Sequence, residues 1–208
     1  MKAPLKYLLL ALVTMLISFG RANADSPLTS TPFADAYKTA GVVKAATKAN
    51  GVITAKLMKY LSNPGKPLDL KMALINQLGW NIDGRTNGRM YKHYVEKNKG
   101  ITLDNAENWN KVHPHELLSM AYLIALDNYF DVKAAAEMAR AAAKRLPKSY
   151  TAQIVSAMIC AQEAFDTNWC QVYQLTDAVR QNTSLTQDMR PEAIKIIFDY
   201  MDIYSGEC

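Results

Sequence analysis

The chain has 208 residues and a formal net charge of +5; half of its residues are hydrophobic and 21% are charged. This composition excludes a disordered or collagen-like chain, because the first has too few apolar residues to build a core and the second has a glycine repeat. The length suits one domain.

The first 24 residues have the pattern of a secretory signal peptide. Lys2 and Lys6 give a basic start, residues 7–19 are almost entirely apolar, and Ala22-Asn23-Ala24 has the small-x-small form of a cleavage site. The apolar run is shorter than the roughly 20 residues that a transmembrane helix needs. We expect cleavage before Asp25 and a periplasmic or extracellular product without a transmembrane anchor; a retained N-terminal anchor is the alternative.

Much of the positive charge lies in that segment. Without Lys2, Lys6 and Arg21 the chain has 21 basic and 19 acidic residues, a net charge of +2. Nucleic-acid binding requires basic side chains clustered on one face. This small excess therefore predicts that the protein binds no nucleic acid.

The rest of the chain divides into a short leader and one domain. Residues 25–32 contain two prolines and several hydroxyl side chains, which predicts a flexible leader. Residues 33–208 are expected to form a single domain. From Phe33 onward apolar residues recur at three-, four- and seven-residue steps, with glycines that divide the first stretch into two helices.

Further helices follow in chain order, separated by turn and breaker residues. Prolines between Ser62 and Pro67 end the first region, Pro114 suits a first helical position, and Pro147 ends an alanine-rich helix. No stretch alternates apolar and polar residues as a strand does, so the fold class is all-α. The predicted helices lie at about 69–80, 86–95, 104–109, 114–130, 131–146, 150–165, 166–181 and 189–204.

One internal repeat suggests how these helices pack. The pair Phe130-Asp131 recurs as Phe165-Asp166, 35 residues later, and each pair ends one predicted helix and begins the next. Over residues 117–181 the chain resembles tetratricopeptide and Sel1-like repeats, whose units are helix pairs of similar period, although their tryptophan, Leu-Gly and tyrosine pattern is missing. The resemblance implies stacked antiparallel helical hairpins; an irregular helical bundle with coincidental spacing is the alternative.

The three cysteines of an exported protein can form a disulfide. Cys160 and Cys170 lie five residues on either side of Phe165, so an antiparallel hairpin would place them opposite each other. Their counterparts one repeat earlier are small residues, Ala125 and Ala135, where two helices can approach closely. The spacing predicts a Cys160–Cys170 disulfide with Cys208 left over; in the alternative, Cys208 returns to pair with one of the helices.

The strongest candidate for a chemical site is a pair of histidines, His113 and His115, separated by one proline. Glu116 is adjacent, and Asp104 or Glu107 could add a carboxylate. Zinc takes at least three protein ligands, and no His-Glu-x-x-His motif is present. We therefore expect no metal and no cofactor; an exported hydrolase or metal-dependent enzyme that uses these histidines is the alternative function.

Aromatic residues near predicted helix ends are the candidate partner-binding residues. Tryptophan and tyrosine are favoured interface anchors, and stacked hairpins present such side chains on a concave face. The sequence favours an exported module, an adaptor or inhibitor, that binds another protein or peptide in the cell envelope; an envelope component without a discrete site is a further alternative. The candidate residues are Trp80, Tyr91, Tyr94, Trp109 and Tyr129.

Overall fold

The computed structural model describes residues 25–208, so the predicted signal peptide at residues 1–24 lies outside it. The described chain is helical, as predicted, with nine α-helices and three 3₁₀ helices, Phe33–Tyr37, Ala106–Lys111 and Asp202–Glu207. None of these helices is long and apolar enough to span a membrane. The α-helices are α1 Gly41–Lys48, α2 Ala55–Leu61, α3 Leu68–Leu78, α4 Asn87–Lys99, α5 Pro114–Asp127, α6 Lys133–Lys144, α7 Tyr150–Ala164, α8 Trp169–Arg180 and α9 Pro191–Met201.

Side-chain caps explain where several helices begin. Thr54, Ser149 and Asn168 each accept a hydrogen bond from the backbone N–H three residues later, at 3.4, 3.1 and 3.0 Å. Such a bond satisfies one of the N–H groups that the first turn of a helix leaves free. The sequence pattern places the beginning of this last helix at Asp166, but the cap at Asn168 makes α8 begin three residues later, at Trp169.

Helices α4 to α8 pack in sequence order, each against the next. The alanine-rich α6 lies between α5 and α7 and buries Ala135, Ala139 and Ala142 almost completely. Small side chains let neighbouring helices approach closely. Helix α3 packs against both α5 and α7 and closes the core. The repeat-family resemblance stays a prediction.

The contact between α4 and α5 depends on a glycine. A Cβ atom on Gly88 would lie 2.6 Å from Cγ1 of Ile124 and 2.7 Å from its backbone nitrogen. At the same contact, the Asp127 carboxylate accepts hydrogen bonds from the N–H groups of Asn87 at 2.9 Å and Gly88 at 2.7 Å. The end of α5 therefore supplies the cap for α4, and only a residue without a side chain fits between them.

Residues 25–32 differ from the flexible leader that their composition predicts. Leu28 is 2% exposed and belongs to the hydrophobic core. Its N–H donates to Oε1 of Gln162 on α7 at 3.4 Å, and the Thr31 hydroxyl donates to the Pro27 carbonyl at 2.7 Å. Burial of the leucine and local bonds from the hydroxyl side chains make this segment part of the domain.

Candidate binding surface

The disulfide joins Cys170 to Cys208, with Cα atoms 4.8 Å apart, and Cys160 is a buried free thiol. The predicted Cys160–Cys170 pairing is wrong. The turn after α7 extends to Asn168, so Cys170 lies in the first turn of α8, where the returning C-terminal 3₁₀ helix packs against it. The bond therefore attaches the C-terminal segment to α8.

Cys160 contacts α6 instead. Its Sγ lies 3.2 Å from Nη1 of Arg140, which also forms a 3.0 Å ion pair with Glu163. Burial raises the pKa of the Cys160 thiol, although the Arg140 charge acts in the opposite direction. Because the thiolate is the nucleophilic form, this cysteine is a packed side chain rather than a reactive one.

The two histidines lie at the start of α5. Nδ1 of His113 accepts the His115 N–H at 3.2 Å, and Glu116 accepts the His113 N–H at 3.1 Å while pairing with Lys99 at 3.1 Å. Asp104 forms an ion pair with Lys92 on α4. Residues 25–208 contain no group of three or more His, Cys, Asp or Glu side chains placed to hold a metal ion. The bonds that the motif makes are those of a helix cap.

A buried amine lies close to this cap. Lys71 on α3 is 0% exposed, and its Nζ has no hydrogen-bond partner among residues 25–208. Burial lowers its pKa to about 8, although the Glu116 charge acts in the opposite direction. Burial, followed by the Lys71 charge, lowers the pKa of His115 to about 4. Since Lys71 has no exposed surface, a substrate cannot reach its amine in this conformation.

The predicted partner-binding aromatics do not form one surface. Tyr91 is fully buried, with its hydroxyl 3.0 Å from that of Ser62, and Tyr94 stacks on it with ring centroids 6.3 Å apart. Trp109 is half-buried and donates its indole N–H to the Leu103 carbonyl at 3.2 Å. These three aromatic side chains hold the fold together.

The other two predicted aromatics support an exposed ring. Trp80 packs edge-on against Tyr129 with centroids 5.2 Å apart, and Tyr129 contacts Phe130 at 4.3 Å. Phe130 is 69% exposed, and Trp169, at the start of α8, is 51% exposed. Large apolar rings this open to water are characteristic of interaction sites when they lie together.

Two surface depressions connect Phe130 and Trp169. One, of about 180 Å³, includes Phe130, and the other, of about 510 Å³, includes Trp169; both include Phe165 and Asp166. Asp25 and Glu207 add two more carboxylates, and none of the described residues lining either depression is Lys, Arg or His. We call this the acidic aromatic surface, defined by Asp25, Phe130, Phe165, Asp166, Trp169 and Glu207.

The acidic aromatic surface is held in place by the C-terminal segment. Tyr204 packs edge-on against Phe165 with centroids 5.9 Å apart and lies 6.4 Å from the Trp169 ring. Its hydroxyl is 2.6 Å from that of Tyr200. The disulfide at Cys170, next to Trp169, fixes the same segment covalently. A surface ordered in this way loses little conformational entropy when it binds.

The 35-residue Phe-Asp repeat is the sequence signal for this surface, because Phe130 of the first copy and Phe165 and Asp166 of the second line one depression. Taken one residue at a time, an aromatic side chain near a helix end gives no indication of whether it is buried. No protein-family model, curated protein or solved structure matches the chain. What the protein does must therefore follow from its own surfaces and charges.

Proposed function

We propose that this protein is an exported binding module, an adaptor or inhibitor, whose acidic aromatic surface binds a positively charged segment of another protein in the cell envelope. The observation that carries the proposal is the combination of two exposed rings, Phe130 and Trp169, with three carboxylates. Arg and Lys side chains bind aromatic faces through cation–π attraction and carboxylates through charge-assisted hydrogen bonds. A basic segment would use both.

Export is supported by two features. The N-terminal 24 residues have the pattern of a signal peptide, and the structure contains a disulfide between Cys170 and Cys208. Disulfides persist mainly in oxidising compartments such as the periplasm and the extracellular space. The alternative function, a hydrolase or metal-dependent enzyme, gains no support from His113, whose Nδ1 atom accepts the His115 N–H in the cap of α5.

A titration with a defined cationic peptide tests the binding chemistry. Residues 25–208 are titrated into a fluorescein-labelled 12-residue peptide of alternating arginine and alanine, with anisotropy as the readout. The cationic peptide should bind at this surface, and a glutamate–alanine peptide should not bind there. The double variant F130A/W169A should weaken binding at least tenfold, as expected when two central aromatic anchors are truncated.

A matched control separates this effect from a general loss of apolar surface. Ile82 is 61% exposed and lines neither depression, so Ile82→Ala should leave the affinity unchanged. The proposal fails if F130A/W169A binds the cationic peptide as tightly as the unmodified protein. It also fails if F130A/W169A weakens binding of the acidic peptide by the same factor, because the three carboxylates would then have no role.

A further inference from the structure

The near-neutral charge of residues 25–208 conceals a strongly basic segment. Residues 36–68 contain six lysines and no aspartate or glutamate. All six are exposed, and none forms an ion pair within residues 25–208. The segment is therefore a local concentration of unpaired positive charge. The six are Lys38, Lys44, Lys48, Lys56, Lys59 and Lys66.

The same segment contains an apolar groove between α1 and α2, with a volume of about 320 Å³. Leu57, which is 2% exposed, contributes buried apolar surface, while Val42, Ala45 and Tyr60 are half-buried. The groove is lined by Gly41, Val42, Ala45, Lys56, Leu57 and Tyr60. A recessed apolar strip of this kind can take side chains from a partner.

Three of the lysines are placed around the groove. Lys56 lines it directly, and Nζ of Lys66 lies 5.6 Å from the centroid of the Tyr60 ring. Lys48 follows Ala45 by three residues on α1, which makes the two residues neighbours on the helix surface. The groove therefore combines an apolar lining with positive charge at its edges.

One carboxylate acts on this region. Burial, followed by the Asp69 charge, raises the pKa of Tyr60. The Asp69 Oδ1 atom accepts the Leu70 N–H at 2.7 Å, at the start of α3, and Asp69 forms no ion pair with any lysine of residues 25–208. With Asp69 used in this way, the lysines around the groove have no ion-pair partner within residues 25–208.

We propose that the groove between α1 and α2 binds an acidic amphipathic segment of a partner protein. Apolar side chains of the segment enter the groove, and its carboxylates pair with Lys48, Lys56 and Lys66. The recessed apolar lining favours a peptide over a nucleic acid, whose phosphates need only the lysines. It also favours a peptide over a membrane surface, which takes protruding apolar side chains.

This inference does not rest on the proposed function. The groove and the acidic aromatic surface share no lining residue and carry opposite charges. The two surfaces can therefore be tested separately, and loss of binding at one should leave binding at the other intact.

The test uses a fluorescein-labelled 14-residue peptide with leucine at every third or fourth position and glutamate on the flanking positions. Residues 25–208 should bind it, and raising NaCl from 50 to 300 mM should weaken binding at least fivefold because salt screens the charge pairs. The double variant K48E/K56E should weaken binding at least tenfold. Ala45→Leu, which fills the groove without changing charge, should also weaken binding.

A charge-matched control keeps the result specific. Lys133 and Lys144 are exposed lysines at the two ends of α6, so K133E/K144E makes the same change in net charge and should leave the affinity unchanged. Far-ultraviolet circular dichroism of each variant verifies that it has folded.

Several results would overturn the proposal. One is equal binding of a peptide in which serine replaces every leucine. Another is binding of a 20-nucleotide single-stranded DNA, or of phosphatidylglycerol vesicles, that is as tight as binding of the peptide and is also abolished by K48E/K56E. The site would then recognise polyanions in general. A third is a dimer of residues 25–208 in light scattering that K48E/K56E dissociates, because the occupant would then be a second copy.

Discussion

Removing the Cys170–Cys208 disulfide is expected to lower the free energy of unfolding by about 4 kcal/mol. The two cysteines are 38 residues apart, and the chain-entropy model gives about 4 kcal/mol at 25 °C for a loop of that length. The loop includes α8, α9 and the C-terminal 3₁₀ helix. Without the bond, the unfolded chain regains conformations that the crosslink excludes.

Urea denaturation followed by circular dichroism measures this effect in the double variant C170S/C208S. The matched control is Cys160→Ala, which removes a free thiol and its Arg140 contact and should cost only about 1 kcal/mol. A thiol reductant should lower the stability of the unmodified protein to the level of the double variant. Peptide mapping without reduction should recover the fragments containing Cys170 and Cys208 joined together.

Two outcomes would refute this reasoning. The pairing is contradicted if the mapped fragments join Cys160 to either of the other cysteines. The magnitude is contradicted if C170S/C208S lowers the free energy of unfolding by less than about 1 kcal/mol, because the crosslink would then restrict the unfolded chain far less than the chain-entropy model requires.

Three further variants, one of them with a control variant, test the interior by denaturation. Gly88→Ala should lower the free energy of unfolding by about 2 kcal/mol, because its Cβ would lie 2.6 Å from Ile124. The control Gly41→Ala, whose Cβ meets nothing within 4 Å, should be neutral or stabilising. Equal effects of the two variants would contradict the close contact between α4 and α5. Lys71→Met should stabilise the protein by about 1–3 kcal/mol at pH 7. This gain in stability should shrink as the pH rises from 8 to 10.5, because the buried amine has a pKa of about 8. A gain that stays constant over this pH range would contradict the burial of Lys71 as a cation. The unfolded state binds a proton at His115 near pH 6.5, whereas the folded state does so only near pH 4. The free energy of unfolding should therefore fall by about 1–2 kcal/mol as the pH falls from 6.5 to 4. His115→Gln should remove this contribution, and an unchanged pH profile in the variant would contradict the prediction.

Helix positions could be predicted from the sequence because their signals are local. Pro114 takes the first position of α5, and Pro147 lies in the turn between α6 and α7. The disulfide could not be predicted in this way. Its geometry depends on where α8 begins, which the Asn168 cap decides, and on the return of the C-terminal segment to Cys170. The symmetric placement of Cys160 and Cys170 about Phe165 contains no information about the start of α8 or the path of the C-terminal segment.

The two binding surfaces could not be predicted from the net charge of the chain or from individual aromatic residues. A net charge of +2 for the chain after the predicted cleavage site hides six lysines within residues 36–68. Tyr91 and Phe130 are both large aromatic residues, yet Tyr91 is 0% and Phe130 is 69% exposed. Tertiary packing decides which ring is covered, so the sequence predicts that aromatic residues matter but not which of them face solvent.

The most direct test of the acidic aromatic surface is site-specific photocrosslinking in the cell envelope. A photoreactive phenylalanine analogue replaces Phe130 in one strain and Ile82 in another, and mass spectrometry maps the crosslinked segment of any partner. We expect a partner to be crosslinked from position 130 and not from position 82, through a segment rich in Arg and Lys. Crosslinking with equal yield from both positions, or to an acidic segment, would contradict it.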